Sequence, residues 1–233
     1  MAEYKEIHGT KIRSYTTNPD NPIVGEVWYN DTDNVLKFQY PNTTTSGSWR
    51  TGNNLNTGRS GVVGAGTRDA ALAIGGEPTS SPTSVTQEYD GSSWTAGGSL
   101  GTGRYSLAAA GTQTAALAFG GGPGRKTDTE EYNGSSWTAG GALNDGVAEQ
   151  GGCGTQTAAL SFGGSLPSIT AVTEKYDGTS WTTTASLNVA RRFIAGAGIQ
   201  TAGLAFGGEA PPESTATEEF SQFGPSTETI TTS

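Results

Sequence analysis

The chain has 233 residues, enough for one large all-β domain or two small ones. Only 33% of residues are hydrophobic, 36 are glycine, and the formal charge is -9. That balance argues against nucleic acid as a partner, which needs a basic footprint, and no apolar run approaches the length that membrane insertion needs.

The first residues, Met-Ala-Glu-Tyr-Lys-Glu, lack the basic flank and apolar stretch of a secretory leader, which predicts a protein made in a cytoplasm. Residues 1–22 are polar and end in two proline turn signals, Asn18-Pro19 and Asn21-Pro22. Within them Lys11–Tyr15 predicts a short edge strand. Residues 23–47 contain two aromatic and β-branched runs, Val24–Tyr29 and Val35–Tyr40, around Asn30–Asn34, and so predict a hairpin. Ser48-Trp49 opens a further strand.

From residue 48 to 233 the chain is a repeat. Double glycines begin at 75, 120, 163 and 207, in steps of 45, 43 and 44 residues, and Trp49, Trp94, Trp137 and Trp181 keep the same steps. Each unit reads as four short strands. Strand a is built of small residues (61–66, 106–111, 149–154, 194–198). After a turn such as Thr112-Gln113, strand b is Ala-rich and ends at the double glycine. Strand c ends in Tyr89, Tyr132, Tyr176 or Phe220, and strand d starts at tryptophan. Asp90-Gly91, Asn133-Gly134 and Asp177-Gly178 between c and d predict type I′ hairpin turns. Tandem four-stranded units of this length predict an all-β fold, a β-propeller; a flat or solenoidal β array is the alternative.

The Gly-Gly after a small apolar strand, the tyrosine a dozen residues later and the tryptophan five beyond it resemble kelch repeats. So do Arg59, Arg104 and Arg191 after strand d, although the third unit has Val147 there. The resemblance implies a kelch-like β-propeller of four full repeats, with a partial N-terminal blade formed by residues 23–47 if there are five. A second resemblance is to modules at the front of bacteriophage tail and fibre proteins. It rests on Asn21-Pro22, Gly25–Asn30, Asn34–Lys37 and Trp49. It implies that residues 1–22 dock on other virion proteins. The glycine-, serine- and threonine-rich kelch-like array, without a secretory leader, is also similar to virion structural proteins of marine phages, cyanophages especially. The fourth unit has Pro225 where its tryptophan belongs, so either Trp49 supplies the missing strand or Ser226–Ile230 ends the last blade. Closure between subunits stays open, and a homo-oligomer or many copies on a particle are expected.

Catalytic chemistry finds little to work with. His8 is the single histidine and lies far from the repeats, so no zinc, copper or iron cluster, no Ser-His-Asp triad and no cofactor are expected. The run Gly120–Lys126 lacks the Gly-Lys-Ser/Thr ending of a phosphate loop. The single cysteine, Cys153, excludes an intramolecular disulfide framework and sits among glycines, which predicts a small buried side chain. Paired Glu130-Glu131 and Glu218-Glu219 alternate between strand faces and predict solvated charges rather than a catalytic pair. The b–c loops differ most between units, and they share a rim with the d-to-a links. Arg59, Arg104, Arg191, Arg125, Lys126, Glu77 and Glu209 are therefore the candidate binding face, with a host surface glycan or protein as partner. For Arg59, Arg104 and Arg191 the competing expectation is that they brace adjacent blades through backbone carbonyls. The leading functional expectation is a non-enzymatic virion protein: tail fibre, tail tip or capsid decoration. A cellular kelch adaptor is the alternative, followed by a glycan-active enzyme.

Overall fold

Runs of five small or β-branched residues, punctuated by double glycines, suit short strands that approach one another closely. The computed structural model describes residues 13–15, 27–38, 49 and 51–222, and among these it contains strands and no helix. The chain divides into two compact units, residues 1–51 and 52–233.

In the first unit β2 (Val27–Asn30) and β3 (Val35–Phe38) form the expected hairpin. The Asn30 side chain accepts from the Thr32 and Asp33 amides at 3.0 and 2.9 Å, which caps the turn. The predicted edge strand is β1 (Arg13–Tyr15), and it runs parallel to β2. Trp49 is exposed and belongs to no strand, contrary to expectation. His8 and residues 226–230 lie outside the described residues.

The second unit is a four-bladed β-propeller. Blade I comprises β4 (Val63–Thr67), β5 (Ala70–Ile74), β6 (Thr86–Tyr89) and β7 (Trp94–Ala96). Blade II comprises β8 (Ala108–Thr112), β9 (Ala115–Phe119), β10 (Thr129–Tyr132) and β11 (Trp137–Ala139). Blade III comprises β12 (Gly151–Thr155), β13 (Ala158–Phe162), β14 (Thr173–Tyr176) and β15 (Trp181–Thr184). Blade IV has three strands among the described residues, β16 (Ala195–Ile199), β17 (Ala202–Phe206) and β18 (Thr217–Ser221). Each is an antiparallel meander, and the register sets Tyr89, Tyr132 and Tyr176 opposite Trp94, Trp137 and Trp181. Within the first unit the three strands form one sheet in the order β1-β2-β3.

The hydrophobic core lies between blades rather than within them. Leu72 and Ile74 of blade I meet Ala116, Ala118 and Tyr132 of blade II. Leu117 and Phe119 of blade II meet Ala159, Tyr176 and Trp181 of blade III. Cys153, Leu160 and Phe162 of blade III meet Ile194 and Ala205 of blade IV. A blade alone has nowhere to bury these faces, so neighbours stabilise one another.

Two local expectations need correcting. Strand a begins later than predicted because the residue two positions before it takes positive φ: 49° at Ser106, 63° at Glu149 and 53° at Phe193. That bend turns its amide onto the preceding blade. Ser106 donates to Gly61 O, Glu149 to Ser106 O and Phe193 to Glu149 O, at 2.7–2.9 Å. The c–d connections are four-residue loops rather than type I′ turns, with only Gly91, Gly134 and Gly178 at positive φ. The Asp90 carboxylate captures the Ser92 and Ser93 amides at 2.8 and 2.7 Å, and Asn133 and Asp177 do the same. An Asp or Asn side-chain oxygen closing its own loop outcompetes the tighter turn.

Among the described residues the array is open between its ends. The contacts that join β4 to β8, β8 to β12 and β12 to β16 have no counterpart of similar extent between β16 and β4. Every residue of β16 is exposed, whereas β8 and β12 alternate buried and half-buried. Phe206 of blade IV is 39% exposed, while its equivalents Phe119 and Phe162 are 0% and 4%.

Candidate recognition rim

The d-to-a links and b–c loops do share one rim. Isolated bridges tie Ser60 to Glu77, Tyr105 to Gly122, Ala148 to Ser165 and Arg192 to Glu209. The double glycine makes this possible. Gly120 and Gly121 have φ of 66° and 99°, and the Gly121 amide reaches across to Val147 O of the next link at 2.8 Å. A Cβ on Gly120 would lie 2.1 Å from the Gln150 amide nitrogen, so a side chain has no room.

Of the predicted site residues, the arginines divide from the loops. Arg104 and Arg191 are wholly buried. Arg104 donates to Gly120 O (2.9 Å), Asp128 O (2.8 Å) and Glu130 Oε1 (2.8 Å). Arg191 repeats this with Gly207 O (2.7 Å), Ala216 O (2.8 Å) and Glu218 Oε1 (2.9 Å). Each guanidinium clamps strand b, the b–c loop and strand c of its own blade. Burial pulls the Arg104 pKa down, and the Glu130 and Asp128 charges oppose the shift. Arg59 is partly buried and donates to Ala73 O at 3.1 Å.

The expected solvation of the strand-c glutamates fails for Glu130, which is buried and also accepts from the Gly101 amide at 2.7 Å. The covering link, rather than strand alternation, removes it from water. Its equivalent Glu174 accepts from the Asn144 amide and side chain at 3.0 and 2.6 Å. Burial raises the Glu174 pKa, and these hydrogen bonds oppose the rise. Burial pushes Glu218 up as well, but the Asn188 and Val189 amides and Arg191 together bring it below the usual carboxylate range. The alternation itself is as expected: Glu131 faces the other way and accepts from the Tyr176 hydroxyl at 2.7 Å.

Cys153 is buried, and burial pushes its thiol up to about 11, leaving it protonated. Among the described residues no three His, Cys, Asp or Glu side chains gather as metal ligands.

The loop residues form a surface. Exposed Arg125, at φ 54°, reaches from the blade II loop to Ser165 O of the blade III loop at 3.1 Å. Tyr105, Gly122, Arg125, Glu149 and Ser165 line a cleft of about 190 Å³ between the two blades. Arg192 pairs with Glu209 at 2.9 Å and with Glu149 at 3.3 Å, continuing the cleft toward blade IV. Half-buried Lys126 is fixed through its amide to Gly121 O at 2.8 Å, and half-buried Glu77 sits on the blade I loop; neither lines the cleft. A second hollow, about 170 Å³, is lined by Leu160, Phe162, Thr173, Leu187 and Phe220. It is the place that Trp181 fills one junction earlier, where its ring lies 4.9 Å from Phe119.

Sequence reading passed over the polar links between blades. Gln113, in the a–b turn, donates to Ala71 O (3.1 Å) and Tyr89 O (2.7 Å) of the preceding blade, and Gln156 and Gln200 repeat the contact. Their recurrence at one place in each turn was the available signal. Arg192 and Glu149 were also missed, since neither repeats.

These features define a β-propeller with a polar rim. No family model and no curated protein matches the chain. The solved structure titled "Structure of YjhT" is similar in fold, with a TM-score of 0.62 over 83% of this chain and 71% of that one, at 13% sequence identity.

Proposed function

We propose that the chain is a non-enzymatic virion structural protein of a bacteriophage, a tail-fibre, tail-tip or capsid-decorating component. Its propeller displays the b–c loop rim to a host-surface or virion-protein partner, and residues 1–22 dock it on other virion proteins. The observation that carries the display reading is the division of labour among charges. Arg104, Arg191, Glu130 and Glu218 are engaged in bracing single blades, while Arg125, Arg192, Glu149 and Glu209 stand at the rim on non-repeating positions. Variable loops on a rigid scaffold are the arrangement that recognition surfaces use. The virion part rests on the resemblance of residues 21–49 to phage tail modules.

Substituting Arg125 and Arg192 by alanine tests the display reading, with glycan arrays and virion-protein pull-downs as readouts. The reading expects lost binding with little change in melting temperature. Binding that survives both substitutions, and survives exchanging each of the four b–c loops for a Gly-Ser linker, would remove the rim from consideration.

A further inference from the structure

The bare flanks of blades I and IV match each other. Within the chain three junctions show what a blade-to-blade contact consists of. At the first, the Tyr132 hydroxyl donates to Glu88, and at the second Tyr176 donates to Glu131. At the third, Phe220 stands in place of tyrosine and Lys175 in place of glutamate, so donor and acceptor are lost together. Blade IV nevertheless carries Glu219, exposed, and blade I carries Tyr89, half-buried; neither side chain has a hydrogen-bond partner among the described residues.

Tryptophan follows the same logic. Trp137 and Trp181 donate their indole N–H to Thr86 and Thr129 of the preceding blade at 3.0 and 2.9 Å. Thr217 holds the equivalent place on blade IV and is exposed, where Thr86 and Thr129 are buried. Where the other blades carry a glutamine that bridges through its amide N–H donors, blade I has Arg68, which carries donors only and is exposed. Phe206 and Ile199, 39% and 57% exposed, supply the apolar part of the flank.

We propose that blade IV of one copy docks on blade I of a second copy of this chain. The second copy's Tyr89 donates to Glu219, and its Trp94 indole donates to Thr217. The three junctions already present are the template. The single chain leaves β16 and β4 apart, so its own blade I does not cover that flank. Such a head-to-tail contact closes a ring of copies or extends a filament, according to its angle. It is independent of what the rim binds.

Sedimentation velocity across a concentration series tests this on the full chain. The proposal expects self-association above the 23.8 kDa of one chain. Tyr89→Phe and Glu219→Gln should each weaken it about tenfold, and the double variant no more than either alone, because one charged hydrogen bond is lost in every case. Trp94→Arg and Thr217→Arg should each be monomeric, yet form a 1:1 heterodimer when mixed, since each keeps one intact flank. Tyr89→Phe and Glu219→Gln preserve packing, so they carry the test if the arginine variants fail to fold. A chain that stays at single-chain mass, or association that both conservative variants leave unchanged, overturns the proposal. The first result would point to closure within one chain.

Discussion

Replacing Arg104 by alanine removes a guanidinium that no water reaches. It leaves Gly120 O without its donor, Asp128 O with the Gly120 amide alone, and Glu130 as a buried carboxylate with only the Gly101 amide beside it. Breaking a buried charged pair on one side costs about 3–5 kcal/mol. For a unit of this size each kcal/mol moves the melting temperature by about 2–4 °C, so a fall of about 6–20 °C is expected. Differential scanning calorimetry on the full chain reads this directly. Blade I supplies a natural control, because Gln87 occupies the place of Glu130 there. Arg104→Met combined with Glu130→Gln should therefore regain about half of the loss, the uncompensated charge having gone. A fall below about 2 °C for Arg104→Ala, together with lost partner binding, would refute the bracing argument and return Arg104 to the recognition surface.

Other outcomes follow from the same geometry. Tyr132 and Tyr176 are pushed up to about 12, first by burial and then by the hydrogen bond to Glu88 or Glu131. A raised tyrosine pKa keeps the fold protonated, so their stabilisation is full below pH 10 and is lost as pH rises through about 12; alkaline melts should show this slope, flattened in a Tyr132→Phe/Tyr176→Phe variant. Gly120→Ala should cost about 3 kcal/mol in urea titrations, from positive φ and the clash with Gln150. Gly124→Ala, at φ 80° with nothing within 4 Å, should cost only about 1 kcal/mol. Gln87 is buried with both amide atoms unpartnered among the described residues, so Gln87→Met should leave chemical stability unchanged or raise it by about 1 kcal/mol.

The fold was legible because its signals are periodic. Double glycines and tryptophans at one spacing mark blade edges wherever they occur, and the tyrosine–tryptophan step of five places strands c and d. Side-chain accounting was less legible. The spacing of Glu130 and Glu131 shows that they face opposite ways, but not that a link from residues 98–104 covers the Glu130 face. The Asp90, Asn133 and Asp177 loops misled because Asp-Gly suits two loop geometries, and only the side-chain hydrogen bonds to following amides decide between them. Arg192 and Glu149 lie outside the repeat pattern, so periodicity gave no reason to pair them across two blades.

We propose that this propeller is carried on a phage particle. Density-gradient sedimentation of a lysate, with an antibody against the 52–222 propeller, tests this most directly. The protein should band with infectious particles and stay with them after high-salt washing. A protein found only in the free fractions at the top of the gradient would contradict it.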